Sequence, residues 1–178
     1  MSIQYAILGY LSWQPYSGYD LKKFFEDSAI FHWSGNNNQI YKALVALHEQ
    51  GMVTLEVQQQ TDHPPRKLYS ITESGRAVLR QWLLTTPELP QSKSAILVQL
   101  AWADQLSAAE VDDLLNRYAE EVQVQVLMLE EHQRRTAVQP QRTPRERYLW
   151  QAILQNRLAL YQNELTWINQ VRHDLAHL

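Results

Sequence analysis

NNNQIYKALVALHEQGMV, residues 36–53, reads as a helix with one dry side and one wet side. Ile40, Leu44 and Leu47 recur at i, i+4 and i+7, which stacks apolar side chains on one helical face. Asn38, Gln39 and Lys42 fall on the opposite face, close to the helix start, and Tyr41 lies between the two. Gly51 follows the last periodic position, where a helix end favours a residue that tolerates positive φ.

Outward from this helix the periods change in a definite order. Upstream, Ile3, Ile7, Leu8 and Leu11 predict a short buried helix that Pro15 breaks. In SGYDLKKFFEDS, residues 17–28, Ser17 and Asp20 have the spacing of a capping box, in which two side chains satisfy the orphan N–H groups of a helix start. Leu21, Phe24 and Phe25 form the inward face there, with Lys22 and Lys23 pointing elsewhere. Downstream, Val53, Leu55 and Val57 alternate with polar residues, the period of a strand, as far as Gln59. TDHPP, residues 61–65, is a turn, and Lys67–Thr72 returns as a second strand with Arg66 and Lys67 at its entry. Thr72 is placed to cap a helix running through Val78, Leu79, Trp82 and Leu83.

Pro87 and Pro90 mark a linker, which divides the chain into domains 1–86 and 92–178. The second domain reads as helical throughout. One helix is expected over Lys93 to Gln105, and Ser107 with Glu110 opens the next as a second capping box. Val111, Leu115, Tyr118, Val122, Val126 and Leu129 follow a 3–4 spacing along it, which outweighs the strand-like alternation of VQVQV at 122–126. Thr143, Pro144 and Glu146 supply N-cap, N1 proline and N3 glutamate to the last helix. At 1.5 Å per residue that helix is a rod of ~45 Å. Leu154, Leu158, Tyr161, Leu165, Ile168 and Leu175 form one apolar stripe along it, and Ile153, Leu160, Trp167 and Val171 a second. Two stripes exceed what the first domain covers. A second copy of the chain is therefore expected against Leu154, Leu158, Tyr161, Leu165 and Ile168. The class is mainly α: a winged helix-turn-helix domain followed by a helical, coiled-coil-like dimerisation domain.

Composition narrows the function. The 178 residues include 45% hydrophobic ones, enough for a real core, and no cysteine, so a disulfide framework and thiolate metal sites are excluded. The opening MSIQYAILGYLSWQ has no basic lead and too short an apolar run for a secretory signal, and no stretch approaches a membrane span. A cytoplasmic protein is expected. Phosphate-loop, HExxH and GxSxG patterns are missing, so an enzyme is not expected. His173 and His177 sit four residues apart but no third ligand stands out, so neither a metal nor another cofactor is expected. The net charge is −3, with seven basic and seven acidic residues up to Leu84 and nine basic against twelve acidic beyond it. Contact with nucleic acid must then come from local placement of charge rather than from a bulk field.

Helix, helix, turn, helix, strand, basic turn, strand, helix is the order of a winged helix-turn-helix. Its third helix enters the major groove of double-stranded DNA, where Asn and Gln read adenine, Lys reaches guanine, and wing cations sit on phosphates. An alternative reading is a protein-interaction module whose winged helix does not bind DNA, favoured by the neutral first half. A small-molecule carrier built on the tryptophan-rich second half is a third.

Four blocks in this order and spacing resemble the PadR-type transcriptional regulators: AILGYL at 6–11, SGYDL at 17–21, QIYKALVALHEQGMV at 39–53 and PRKLYSITESG at 65–75. From KSAILVQLAWADQLS at 93–107 onward, the chain is similar to the virulence-activator-like helical region of longer members. The resemblance implies a homodimeric regulator, usually a repressor, on a palindromic operator. It implies a recognition helix from Asn37 to Gln50, with Tyr41 at the family's tyrosine, and Ser17 and Tyr19 where the second helix approaches the DNA backbone. With Lys22, Asn37, Asn38, Gln39, Lys42, Arg66 and Lys67, these make the expected DNA-binding set. Lys42 departs from the proline that many members carry there, so operator preference is not transferable. Of six tryptophans, Trp13, Trp33, Trp102 and Trp150 read either as core and interface residues or as lining for a small, flat aromatic effector, with Trp33, Trp102 and Trp150 as the effector set.

Overall fold

The structure, a computed structural model, describes residues 3–26, 28, 37–59, 65–89, 94–135 and 142–177. The chain divides into two compact units, Met1–Glu88 and Leu89–Leu178.

In the first unit, α1 (Ile3–Leu11), α2 (Gly18–Glu26), α3 (Asn37–Glu49) and α4 (Glu73–Leu83) pack with a small antiparallel sheet. The sheet has β1 (Tyr16–Ser17), β2 (Val53–Gln58) and β3 (Arg66–Ile71), in the order β1-β3-β2. The expected apolar faces meet in one core: Ile7, Leu8 and Leu11 of α1, Leu21 and Phe25 of α2, and Ile40, Leu44 and Leu47 of α3. An aromatic cluster fills the gap between α1 and α2. Tyr10 meets Trp13 edge-on at 5.1 Å and stacks on Phe24 at 5.2 Å, which places Trp13 among the core residues. Tyr5 stacks on Trp82 at 4.5 Å and ties α1 to α4.

β1 has no counterpart in the sequence reading. Two residues behind Pro15 carry no period, and the strand exists because β3 offers it a pairing edge, with Tyr16 opposite Tyr69 and Ser17 opposite Leu68. The hairpin is regular, from Val53 opposite Ile71 to Gln58 opposite Arg66.

The end of α3 fixes the start of that hairpin. Gly51 has φ 69° and closes a Schellman motif, in which Met52 N–H donates to the Leu47 carbonyl (2.8 Å) and Gly51 N–H to that of His48 (3.0 Å). The chain then returns to the same corner. Thr72 N–H donates to the Met52 carbonyl (3.0 Å) and its hydroxyl to the Gly51 carbonyl (2.8 Å), while its Oγ1 accepts from Gly75 N–H as the N-cap of α4. Gly75 is required by close approach: a Cβ there would lie 2.2 Å from the Met52 carbonyl oxygen.

The second unit holds α5 (Ala95–Ala101), a 3-10 turn (Ala103–Gln105), α6 (Ala108–Arg135) and α7 (Pro144–Leu175). The helix expected to reach Gln105 ends instead at Trp102, whose φ of −118° leaves the helical range, and the chain tightens into the turn. Ser107 and Glu110 form the expected capping box, and Thr143 caps α7 by accepting from Glu146 N–H. α6 and α7 run antiparallel, pinned by two polar links. Arg172 donates to both oxygens of Asp112 (2.7 and 3.1 Å), and the Tyr118 hydroxyl donates to Glu164 (2.9 Å).

This hairpin covers part of the expected dimer seam within one chain. Tyr161, Leu165 and Ile168 pack with Leu115 and Val122 of α6 in the same chain. Leu154 and Ile168 are buried within one chain, whereas Leu158, Tyr161 and Leu165 are half-buried. A stripe long enough to zip two chains is equally satisfied by an antiparallel neighbour from its own. The second stripe is divided: Trp167 and Val171 join the hairpin core, whereas Ile153 and Leu160 stay exposed, as do Val124, Leu127 and Met128 of α6 and Leu149 of α7.

Two substitutions test this packing. Gly75→Ala drives a methyl group into a backbone carbonyl and is expected to destabilise the chain by about 1–3 kcal/mol in urea denaturation. Ile168→Ala opens a cavity in the α6–α7 core and is expected to cost about 2–5 kcal/mol. A loss near zero in either case contradicts the packing described.

Candidate nucleic-acid interface

α3 presents its wet face outward near its N-terminus. Asn38, Gln39, Tyr41 and Lys42 are exposed while the intervening Ile40, Ala43 and Leu44 are buried. Asn37 opens the helix. One turn after Tyr41, Val45 is 53% exposed, an apolar contact surface that period counting passes over because the apolar face is assigned elsewhere.

Tyr41 is held in place on two sides. Its ring lies against the first residue of α2, so close that a Cβ on Gly18 would come within 2.6 Å of Cε1. Tyr69 of β3 is pushed above the ordinary phenol range, first by burial and then by the nearby Tyr41 phenol. The tyrosine still keeps 44% of its surface exposed.

The start of α2 and the entry of β3 join through one carboxylate oxygen. Asp20 Oδ2 accepts from Ser17 N–H (2.9 Å), from the Ser17 hydroxyl (2.7 Å) and from Arg66 Nη2 (2.6 Å). The Ser17 hydroxyl oxygen in turn accepts from Asp20 N–H (3.1 Å), completing the capping box. The link to Arg66 follows from sheet register: Ser17 pairs with Leu68, and Arg66 stands two residues along β3 on the same face. Burial pushes the Asp20 carboxyl up. The hydrogen bonds from Ser17 and the adjacent Arg66 guanidinium outweigh that and hold it below its ordinary range.

The expected contact residues therefore divide by role. Ser17 is buried, with its N–H and hydroxyl directed to Asp20, so it builds the helix start instead of facing outward. Tyr19 is exposed beside it. Lys22 pairs with Glu26 one turn on (3.5 Å). Arg66 is held by Asp20, and Lys67 is exposed on the opposite face of the strand. Sequence reading assigned Asp20 a capping role only, since a partner 46 residues away leaves no local signal.

In the second unit, Trp102 is 69% exposed at the end of α5 and Trp150 is half-buried on α7; Trp33 lies outside the described residues. Arg157 of α7, not singled out by its sequence context, has a buried Nε with no hydrogen-bond partner among the described residues. Among the described residues, no group of carboxylates and imidazoles could hold a metal ion, and no helix is long and apolar enough to cross a membrane.

Comparison with known proteins gives a consistent picture. Residues 7–81 match the transcriptional regulator PadR-like family, and residues 92–176 match the virulence activator alpha C-terminal family. The negative transcriptional regulator PadR of Bacillus subtilis is 32% identical over 113 residues, which cover 63% of this chain and 62% of that relative, a little under two thirds of its length. A crystal structure of Bacillus subtilis PadR in complex with operator DNA superposes with a TM-score of 0.84 at 25% identity, covering 98% of this chain and 99% of the other. The same regulator in complex with p-coumaric acid gives a TM-score of 0.81 at 24% identity over 99% of both chains, a likeness of fold.

The lowered Asp20 carboxyl has a pH signature. Because its folded value lies below the ordinary 3.8, the stability it confers is complete above that value and is lost as pH falls through the folded one. Asp20→Asn is expected to lower the melting temperature at neutral pH, and the gap to wild type is expected to shrink on acidification below 3.8. A gap that stays constant to the lowest pH would contradict the bonding described.

Proposed function

Because the chain belongs to the PadR-like family of transcriptional regulators and continues into a virulence-activator alpha region, we propose that it is a repressor that grips a palindromic DNA operator as a homodimer. The family is one of DNA-binding regulators and not of enzymes. The observation that carries the reading is the tip of α3, where Asn38, Gln39, Tyr41 and Lys42 are exposed on a helix whose other face is locked into the core.

The chemistry of that tip suits the major groove. Asn and Gln amides bond adenine edges, Lys42 reaches guanine or phosphate, and the exposed Val45 suits a thymine methyl group. Tyr41, braced by Gly18, and Tyr19 at the start of α2 lie where backbone phosphates pass, with Lys22, Arg66 and Lys67 as the cations that position the duplex. Asn37 begins the helix and contributes to the same end. One helix reads only a few base pairs, so two copies supply the needed specificity, their helices entering successive major grooves ~34 Å apart.

Exposed apolar side chains of the second unit, Val124, Leu127 and Met128 on α6 and Leu149, Ile153 and Leu160 on α7, are the surface we assign to the second copy. A small aromatic acid is the proposed effector. Its support is the relative's complex with p-coumaric acid, the aromatic surfaces of Trp102 and Trp150, and the unpartnered Nε of Arg157, a donor suited to a carboxylate. Such a ligand would alter the packing of the helical unit and with it the affinity for DNA. The protein acts in the cytoplasm, with its DNA.

Operator fragments selected from genomic DNA provide the test. Lys42→Ala combined with Arg66→Ala is expected to weaken binding at least tenfold and to reduce the slope of log K against log salt by roughly two. Wild-type protein that binds no genomic fragment at low salt would instead support an interaction module without DNA. Leu127→Asp with Leu160→Asp is expected to give a helical monomer by sedimentation with operator affinity sharply reduced. A dimer that survives these changes would move the seam elsewhere.

A further inference from the structure

Arg66 belongs to the expected DNA contacts, yet its guanidinium is tied to an acid. Asp20 holds Nη2 at 2.6 Å, and the same carboxylate oxygen is fixed by the Ser17 N–H and hydroxyl. That oxygen cannot swing with the arginine, since it is half of the capping box that begins α2. A guanidinium carries five N–H donors in a rigid plane, so one bond to Asp20 leaves four donors aimed in set directions. The ion pair also removes net charge from the wing: Arg66 offers donors in place while contributing little to the long-range field. The chain up to Leu84 carries that balance, with seven basic and seven acidic residues.

We infer that Asp20 is a specificity-determining positioning residue, which holds Arg66 beside the start of α2 so that the wing recognises phosphate by direction and not by bulk attraction. This rests on the DNA-binding reading above. Its physical basis is the difference between two modes of binding. Random duplex is held by charge alone, which a loose cation serves well, whereas an operator complex is fixed in register by directed phosphate contacts. A carboxylate next to the contact therefore weakens random binding by repulsion, and it costs the operator complex less because the arginine arrives already ordered. The lowered Asp20 carboxyl agrees with this geometry, since the acid remains ionised at any pH at which DNA is bound.

The experiment measures one ratio: affinity of the full-length protein for a selected operator fragment over that for a random duplex of equal length, at fixed salt. Asp20→Asn keeps a capping oxygen and removes the charge. It is expected to raise random-duplex affinity and to lower the ratio by between about twofold and tenfold, the range set by ordering one long side chain. Asp20→Glu, the usual capping-box acid, is expected to keep the ratio near wild type. In an Arg66→Ala background, Asp20→Asn is expected to shift both affinities together and leave the ratio alone. Asp20→Ser, also able to cap, repeats the measurement if the Asn variant folds poorly. A ratio unchanged by Asp20→Asn, or changed equally with and without Arg66, overturns the inference while the DNA-binding reading stands. Wild-type protein that binds neither duplex overturns both.

Discussion

Everything in the first unit turns on the corner at Gly51 and Met52. The backbone there serves four elements at once: the end of α3 bonds back through both N–H groups, β2 starts, β3 returns a bond from Thr72, and α4 closes over it at Gly75. Few groups are involved, and each has one geometry available. A positive φ at Gly51 sets the exit angle of α3, and the missing Cβ at Gly75 sets how closely α4 approaches. The wing is therefore aimed relative to α3 by the bonds at this corner, from the N–H groups of Gly51, Met52 and Thr72 and from the Thr72 hydroxyl. Recognition of a duplex by two elements needs such an arrangement, because a wing free to rotate would place its cations on different phosphates in each encounter.

Charge follows the same economy. With seven basic and seven acidic residues up to Leu84, the first unit has no positive field with which to gather DNA, so its cations count by position. Lys42 and Lys67 stand in solvent, Lys22 is shared with Glu26, and Arg66 with Asp20. The mixture of open and paired cations gives an interface some of whose positive charge acts at a distance and some only on contact.

Much of this was legible in the residues themselves. Local chemistry wrote the helix starts at Ser17, Thr72, Ser107 and Thr143 and the glycine stop at Gly51, and each stands where spacing places it. What escaped was whatever depends on a partner distant in sequence. β1 is a strand only because β3 lies beside it, and Asp20 reaches Arg66 only because Ser17 pairs with Leu68. The stripe from Leu154 to Ile168 carries the periodicity of a seam between helices but not the identity of the neighbouring helix, and α6 of the same chain covers part of it. Periodicity reports that a face is covered; it does not report by whom.

The division of labour around α3 bears on how such a protein diverges. Ile40, Ala43, Leu44 and Leu47 anchor the helix, while positions 38, 39, 42 and 45 are exposed. Drift at those four sites leaves stability nearly unchanged, so a duplicated gene could explore new target sequences one substitution at a time without passing through an unfolded ancestor. Lineages built on this scaffold would then be expected to share an interior and differ in what they read.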